Sequence, residues 1–66
     1  MTLTVNGRTL SLPDGDDVAA LVATLTDARR GVAVAVNGEV VPRSAWAGTG
    51  LTDGDRVEVL TAAQGG

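Results

Sequence analysis

The 66-residue chain contains no Cys, His, Tyr or Phe, and its five Lys+Arg positions are all arginine: Arg8, Arg29, Arg30, Arg43 and Arg56. Thiolate, imidazole and amine catalysis are therefore closed to every side chain. A disulfide framework and a Cys/His zinc site are closed with them. Positive charge is scarce as well: eight Asp and Glu give a formal charge of −3. Nucleic-acid binding needs Lys and Arg to neutralise phosphates, so this balance argues against it, as it does against an anionic membrane surface. No apolar run approaches the ~20 residues of a spanning helix. The start Met1-Thr-Leu-Thr-Val5 is strand-like and shows no leader pattern, so the expected location is the cytoplasm. At 44% hydrophobic the chain is too apolar to remain disordered. Its length admits one small domain, burying only about 60% of the surface its unfolded form exposes.

What is present follows two periods. Thr2 to Asn6 and Arg8 to Leu12 alternate, with Leu3, Val5, Leu10 and Leu12 facing one way. Between them Asn6-Gly7 tolerates the positive φ angles of a type I′ turn, which predicts a hairpin. Pro13-Asp14-Gly15 stops the second strand. Val18, Leu21, Val22 and Leu25 then fall at helical spacing, predicting a helix over about 17–27. Asp16 is the expected N-cap and Asp17 favours the helix dipole; Arg29 and Arg30 suit its C-terminal end, and Gly31 the left-handed C′ position. Val32, Val34 and Val36 alternate with Ala33 and Ala35, and Asn37-Gly38 turns the chain into Glu39-Val40-Val41, which Pro42 ends. Ser44 is the expected cap of a single turn carrying Ala45 and Trp46. Leu51 to Asp55 reads as a turn and Arg56 to Ala62 as the last strand, with Val57 and Val59 inward.

This order predicts an α+β fold with one main helix packed on one face of a mixed sheet. The most economical topology pairs the first and last strands in parallel under the helix, which is the β-grasp or ubiquitin-like arrangement. Residues 1–62 make the domain, and 63–66 are expected to form a flexible arm.

Most polar features have a sufficient structural explanation. Val5-Asn6-Gly7 echoes Val36-Asn37-Gly38, and Leu12 to Asp16 echoes Leu51 to Asp55, but the spacing differs and shared turn chemistry accounts for both. The Asp-Gly-Asp stretches lack the further oxygen ligands of a calcium loop, and turns and a cap explain them better than an acid–base pair. Trp46, the sole aromatic, is expected to pack in the core. Ala33, Ala35 and Leu60 run out of phase with the inward valines. They predict an apolar patch on the uncovered sheet face, hence a partner-binding surface.

The terminal Gly65-Gly66 stands apart. Two glycines in succession can thread a channel too narrow for any other residue, and they deliver an α-carboxylate. A carboxylate becomes an electrophile once activated, commonly as an acyl-adenylate made from ATP inside a partner that clamps phosphates and Mg²⁺. The chain would then be substrate and carrier arm rather than enzyme, with no cofactor of its own.

The run Val34-Ala-Val-Asn-Gly-Glu-Val-Val-Pro-Arg-Ser-Ala-Trp46, the run Leu51-x-Asp-Gly-Asp-Arg-Val-Glu-Val-Leu-Thr-Ala62 and the end Gly65-Gly66 together resemble the ThiS family. These are the small sulfur carriers of bacterial thiamin biosynthesis, and the likeness covers the whole chain. It implies a β-grasp protein whose Gly66 carboxylate is adenylated by a ThiF-like, E1-related adenylyltransferase. A sulfur relay including a cysteine desulfurase then converts it to a thiocarboxylate, and thiazole synthase receives the sulfur. Gly66 carries over as the modified residue, and Gly65 with Gln64 as the thread. Gln64 departs from the three glycines with which the family often ends. The absence of cysteine agrees, because no thiol is available to hold a persulfide and only the terminal acyl carbon remains. Two neighbouring readings share fold and tail: the small sulfur-donating subunit of molybdopterin synthase, whose chains are usually longer and richer in aromatics, and a ubiquitin-like protein modifier. Without Lys the latter could not build lysine-linked chains on itself. A plain interaction module with an incidental Gly-Gly is a further class.

Overall fold

A computed structural model describes residues 1–62. The chain folds as β1 (Thr2–Val5), β2 (Arg8–Ser11), α1 (Val18–Leu25), β3 (Val32–Val36), β4 (Glu39–Val41), a 3₁₀ helix (Arg43–Gly48) and β5 (Arg56–Thr61). The strands form one five-stranded sheet in the order β2-β1-β5-β3-β4. β5 is the central strand, parallel to β1 through Val5↔Val57 and antiparallel to β3 from Val32↔Thr61 to Val36↔Val57. This mixed sheet with one helix is the expected β-grasp architecture. The domain boundary expected after residue 62 falls at the limit of the described residues.

Alternation decides which side chains enter the core. Leu3, Val5, Val34, Val57 and Val59 project to one sheet face, where Val18, Leu21 and Val22 of α1 cover them. Trp46 and Leu51 close the side of this core, and the 3₁₀ helix packs on α1. Each fully buried Val or Leu side chain contributes about 1.5–3 kcal/mol, a large share for so small a domain. Trp46 buries its ring while Nε1–H donates to the Val41 carbonyl at 2.9 Å, so the indole carries no unpaired polar group inside.

Both hairpins turn as predicted. Asn6 and Asn37 each have φ 51°, and Gly7 and Gly38 have φ 81° and 85°, the paired positive values of a type I′ turn. The sequence pattern did not reveal that both Asn amides also grip β5. Asn6 donates through Nδ2 to the Val59 carbonyl at 3.0 Å and accepts the Val59 N–H at 2.8 Å, continuing the β1–β5 ladder beyond the end of β1. Asn37 accepts the Arg56 N–H at 2.9 Å and donates to the Asp55 carboxylate at 3.0 Å.

Several local expectations are corrected. Asp17, not Asp16, caps α1: its extended backbone aims Oδ1 at the Ala20 N–H, 2.8 Å away. The Asp16 carbonyl instead accepts the Leu51 N–H, and Thr49 O accepts from Val18 N, so the segment after the 3₁₀ helix is stitched to the start of α1. The helix stops at Leu25 rather than near 27, because Thr26 is extended and its Oγ1 accepts the Ala28 N–H. Arg29 and Arg30 thus lie beyond its last turn, and Gly31 opens β3 rather than closing α1. Leu25, at the very end of the helix, is 44% exposed instead of completing the buried stripe. Ser44 makes no cap; the 3₁₀ helix begins after Pro42, with no side-chain hydrogen bond at its cap.

Candidate functional site

The side chains tested against the sequence reading fall into structural roles. Asp53 accepts the Thr2 N–H, and Asp55 accepts the N–H and hydroxyl of Thr52. The Thr52 amide, followed by the Asn37 amide, holds the Asp55 carboxyl below the usual carboxylate range. The guanidinium of Arg43 lies 5.0 Å from the Trp46 ring centroid, an outer cover on a buried ring. Among the described residues no group of Asp, Glu, His or Cys is arranged to hold a metal ion, and no helix is long and apolar enough to cross a membrane.

The uncovered face of the sheet is different. Leu60 of β5 is 64% exposed and pairs with Ala33, which is also exposed. Two residues along β3, half-buried Ala35 pairs with Val40 of β4, which is 79% exposed. Leu60, Ala33, Ala35 and Val40 therefore form an apolar row across three neighbouring strands, with Glu58 beside Ala35 on the same face. The sequence reading named Ala33, Ala35 and Leu60 but missed Val40. The signal was available, because a two-residue turn at Asn37-Gly38 fixes Val36 opposite Glu39 and hence Ala35 opposite Val40.

The remaining predicted positions follow β5. Its ladder with β3 ends where Ala62 N–H donates to the Gly31 carbonyl at 2.7 Å. Ala62, exposed and just past the end of β5, is two residues from Leu60 of the apolar row. Gln64, Gly65 and Gly66 lie outside the described residues. A separate groove between β2 and the end of α1, lined by Val5, Leu10 and Leu25 among others, contains none of the predicted site residues.

Comparison with known proteins places this geometry. A crystal structure of the thiamine biosynthesis protein ThiS from Geobacter metallireducens is 39% identical, with a TM-score of 0.80 over 92% of this chain and 93% of that one. A solution structure of a thiamine biosynthesis protein from the same organism gives 41% identity and a TM-score of 0.77, over 91% of this chain and 81% of that one. The sulfur carrier protein ThiS of Escherichia coli is 30% identical along the full length of both chains. A thiazole synthase of Paramagnetospirillum magneticum is 36% identical over all of this chain, which spans only 20% of that enzyme. Neither a molybdopterin synthase subunit nor a protein modifier is favoured by these relatives. The model of the ThiS family matches residues 2–66; with the sheet order and the apolar row already in place, the chain belongs to the ThiS family.

Proposed function

We propose that this chain is a sulfur carrier for thiamin biosynthesis, acting as a co-substrate of other enzymes rather than as a catalyst. In this reading a ThiF-like adenylyltransferase, using ATP and Mg²⁺, joins the Gly66 carboxylate to AMP and releases pyrophosphate. The terminal sulfur of a persulfide, delivered through a relay that includes a cysteine desulfurase, attacks the activated acyl carbon and AMP leaves; a second thiol, outside this Cys-free chain, then reduces the resulting acyl disulfide, releasing the thiocarboxylate and leaving a disulfide behind. Thiazole synthase then takes the sulfur. The exchange belongs in the cytoplasm, where ATP and these enzymes meet. Gly65 and Gln64 thread the arm into each partner. Ala33, Ala35, Leu60 and the neighbouring Val40 dock the domain against it, an exposed apolar row of the kind that monomers use for contact.

The observation that carries this reading is the continuity of the row with the arm. β5 contributes Leu60 to the docking face and passes within a few residues to Gly65-Gly66, on a chain that offers no other sulfur-holding group. The test is intact mass after incubation with ATP, the adenylating enzyme and a sulfur donor. Replacement of one oxygen by sulfur, lost on deleting Gly66 while the fold persists, is the expected result. An unchanged mass with partners shown to be active on another carrier would refute the reading.

A further inference from the structure

Gly31 stands one rung beyond Val32↔Thr61, the last registered pair of β3 and β5. Its carbonyl accepts the Ala62 N–H at 2.7 Å. Its φ is 70°, a left-handed value that glycine adopts without steric cost. A Cβ on Gly31 would stand 2.8 Å from the Ala62 Cβ and 3.6 Å from the Ala62 nitrogen, whereas non-bonded carbons rest about 3.5–4.0 Å apart. The other left-handed glycines are unlike it: at Gly7, Gly15, Gly38 and Gly54 an added Cβ would meet nothing within 4 Å. Those four serve only their turns. At Gly31 the space of the missing side chain is filled by Ala62, at the root of the arm. A helix-capping role does not explain this, because α1 has already ended at Leu25.

We propose that Gly31 is a positioning residue for the terminal carboxylate. By closing the final rung it fixes the Ala62 carbonyl, and so the point from which residues 63–66 start, relative to the docking row of Leu60, Ala33, Ala35 and Val40. A partner that binds the row then receives the arm at a defined distance and angle. The inference rests on the carrier reading above. Its consequence is a split between binding and chemistry: the docking row is untouched by a change at Gly31, while the reach of Gly66 to the α-phosphate of ATP is not. Misplacing a reacting group by an ångström can cost about a hundredfold in rate.

The experiment measures pyrophosphate release by a ThiF-like adenylating enzyme with this chain as the varied substrate. Gly31→Ala is expected to lower kcat roughly ten- to a hundredfold with KM within about threefold of wild type. Ala62→Gly added to Gly31→Ala removes the colliding methyl and leaves the backbone strain, so kcat should return to that of Ala62→Gly alone although the melting temperature stays lowered. Ala62→Pro deletes the donor of the rung, and its ring Cδ pushes the Gly31 carbonyl away without adding a Cβ at Gly31; it should reproduce the loss of kcat in a folded protein. Wild-type kcat in Gly31→Ala or Ala62→Pro, or a double variant as slow as Gly31→Ala, overturns the inference while the carrier reading stands. Failure of the wild-type chain to release pyrophosphate overturns the carrier reading itself.

Discussion

The two Asn-Gly hairpins have the same turn sequence and nearly the same dihedral angles, yet they do different work. The first, β1–β2, is scaffold. It supplies Leu3 and Val5 to the buried face, and its Asn6 amide holds the backbone of β5 at Val59 in both directions. The second, β3–β4, buries only Val34 deeply and turns Ala35 and Val40 outward. The amide side chain of its Asn37 accepts the Arg56 N–H at the start of β5 and donates to the Asp55 carboxylate just before it, both bonds exposed to solvent. One turn signal thus serves a hairpin that feeds the core and a hairpin that turns apolar residues outward, and the difference lies in what each meets on β5.

The comparison can be pressed hardest in the core. Leu3→Ala leaves a cavity under a side chain that is 1% exposed and should cost roughly 3 kcal/mol in urea unfolding, whereas Val40→Ala on the second hairpin should stay within about 0.5 kcal/mol. Equal losses would dissolve the distinction. The turns themselves come next. Asn6→Gly keeps the left-handed backbone and removes only the amide, stranding the partly shielded Val59 N–H and carbonyl, for a cost of about 2 kcal/mol; Asn37→Gly, whose partners turn to water, should cost about 1 kcal/mol or less.

Acid sharpens the contrast further. The folded state favours the charged form of Asp55, whose carboxyl lies below its ordinary value of ~3.9. Its contribution is therefore complete above that value and is lost as the pH falls through the lower folded one. Below about pH 4 the wild-type chain should lose stability more steeply than Asp55→Asn in parallel urea titrations. Asn37→Gly should blunt this acid dependence and Asn6→Gly should leave it intact. The smallest effect on stability, under about 0.5 kcal/mol, is expected for Val40→Lys on the edge strand β4. The same change should raise KM for the adenylating partner roughly tenfold, while Thr9→Lys on the opposite edge leaves KM unchanged.

Much of this organisation is legible in the chain itself because it rests on short-range chemistry. Alternation in β1, β3 and β5 names the inward valines and, by exclusion, the outward Ala33, Ala35 and Leu60. Asn-Gly names both turns. Local signals fail where one residue could serve two ends. Asp16 and Asp17 are both good caps by type, and only the pairing of the Asp16 carbonyl with Leu51 assigns the cap to Asp17. Gly31 after Arg29-Arg30 resembles a helix stop, but Thr26 ends the helix several residues earlier. Val40 was hidden by a three-residue strand too short to show a period of its own, and register from the turn reveals it.

Composition alone limits the chemistry open to the side chains of this protein. Without Cys, His or Lys, it has no thiolate, imidazole or amine side chain to act as nucleophile or base. Local order along the chain sets the elements, since turn residues and side-chain periodicity act within a few bonds. It takes the assembled sheet to make both turn asparagines brace β5, to bring Val40 into the outward row, and to set Gly31 against Ala62. Those relations join residues from 19 to 53 positions apart, or depend on strand register. They exist only once the sheet has brought distant backbone groups within hydrogen-bonding and van der Waals reach.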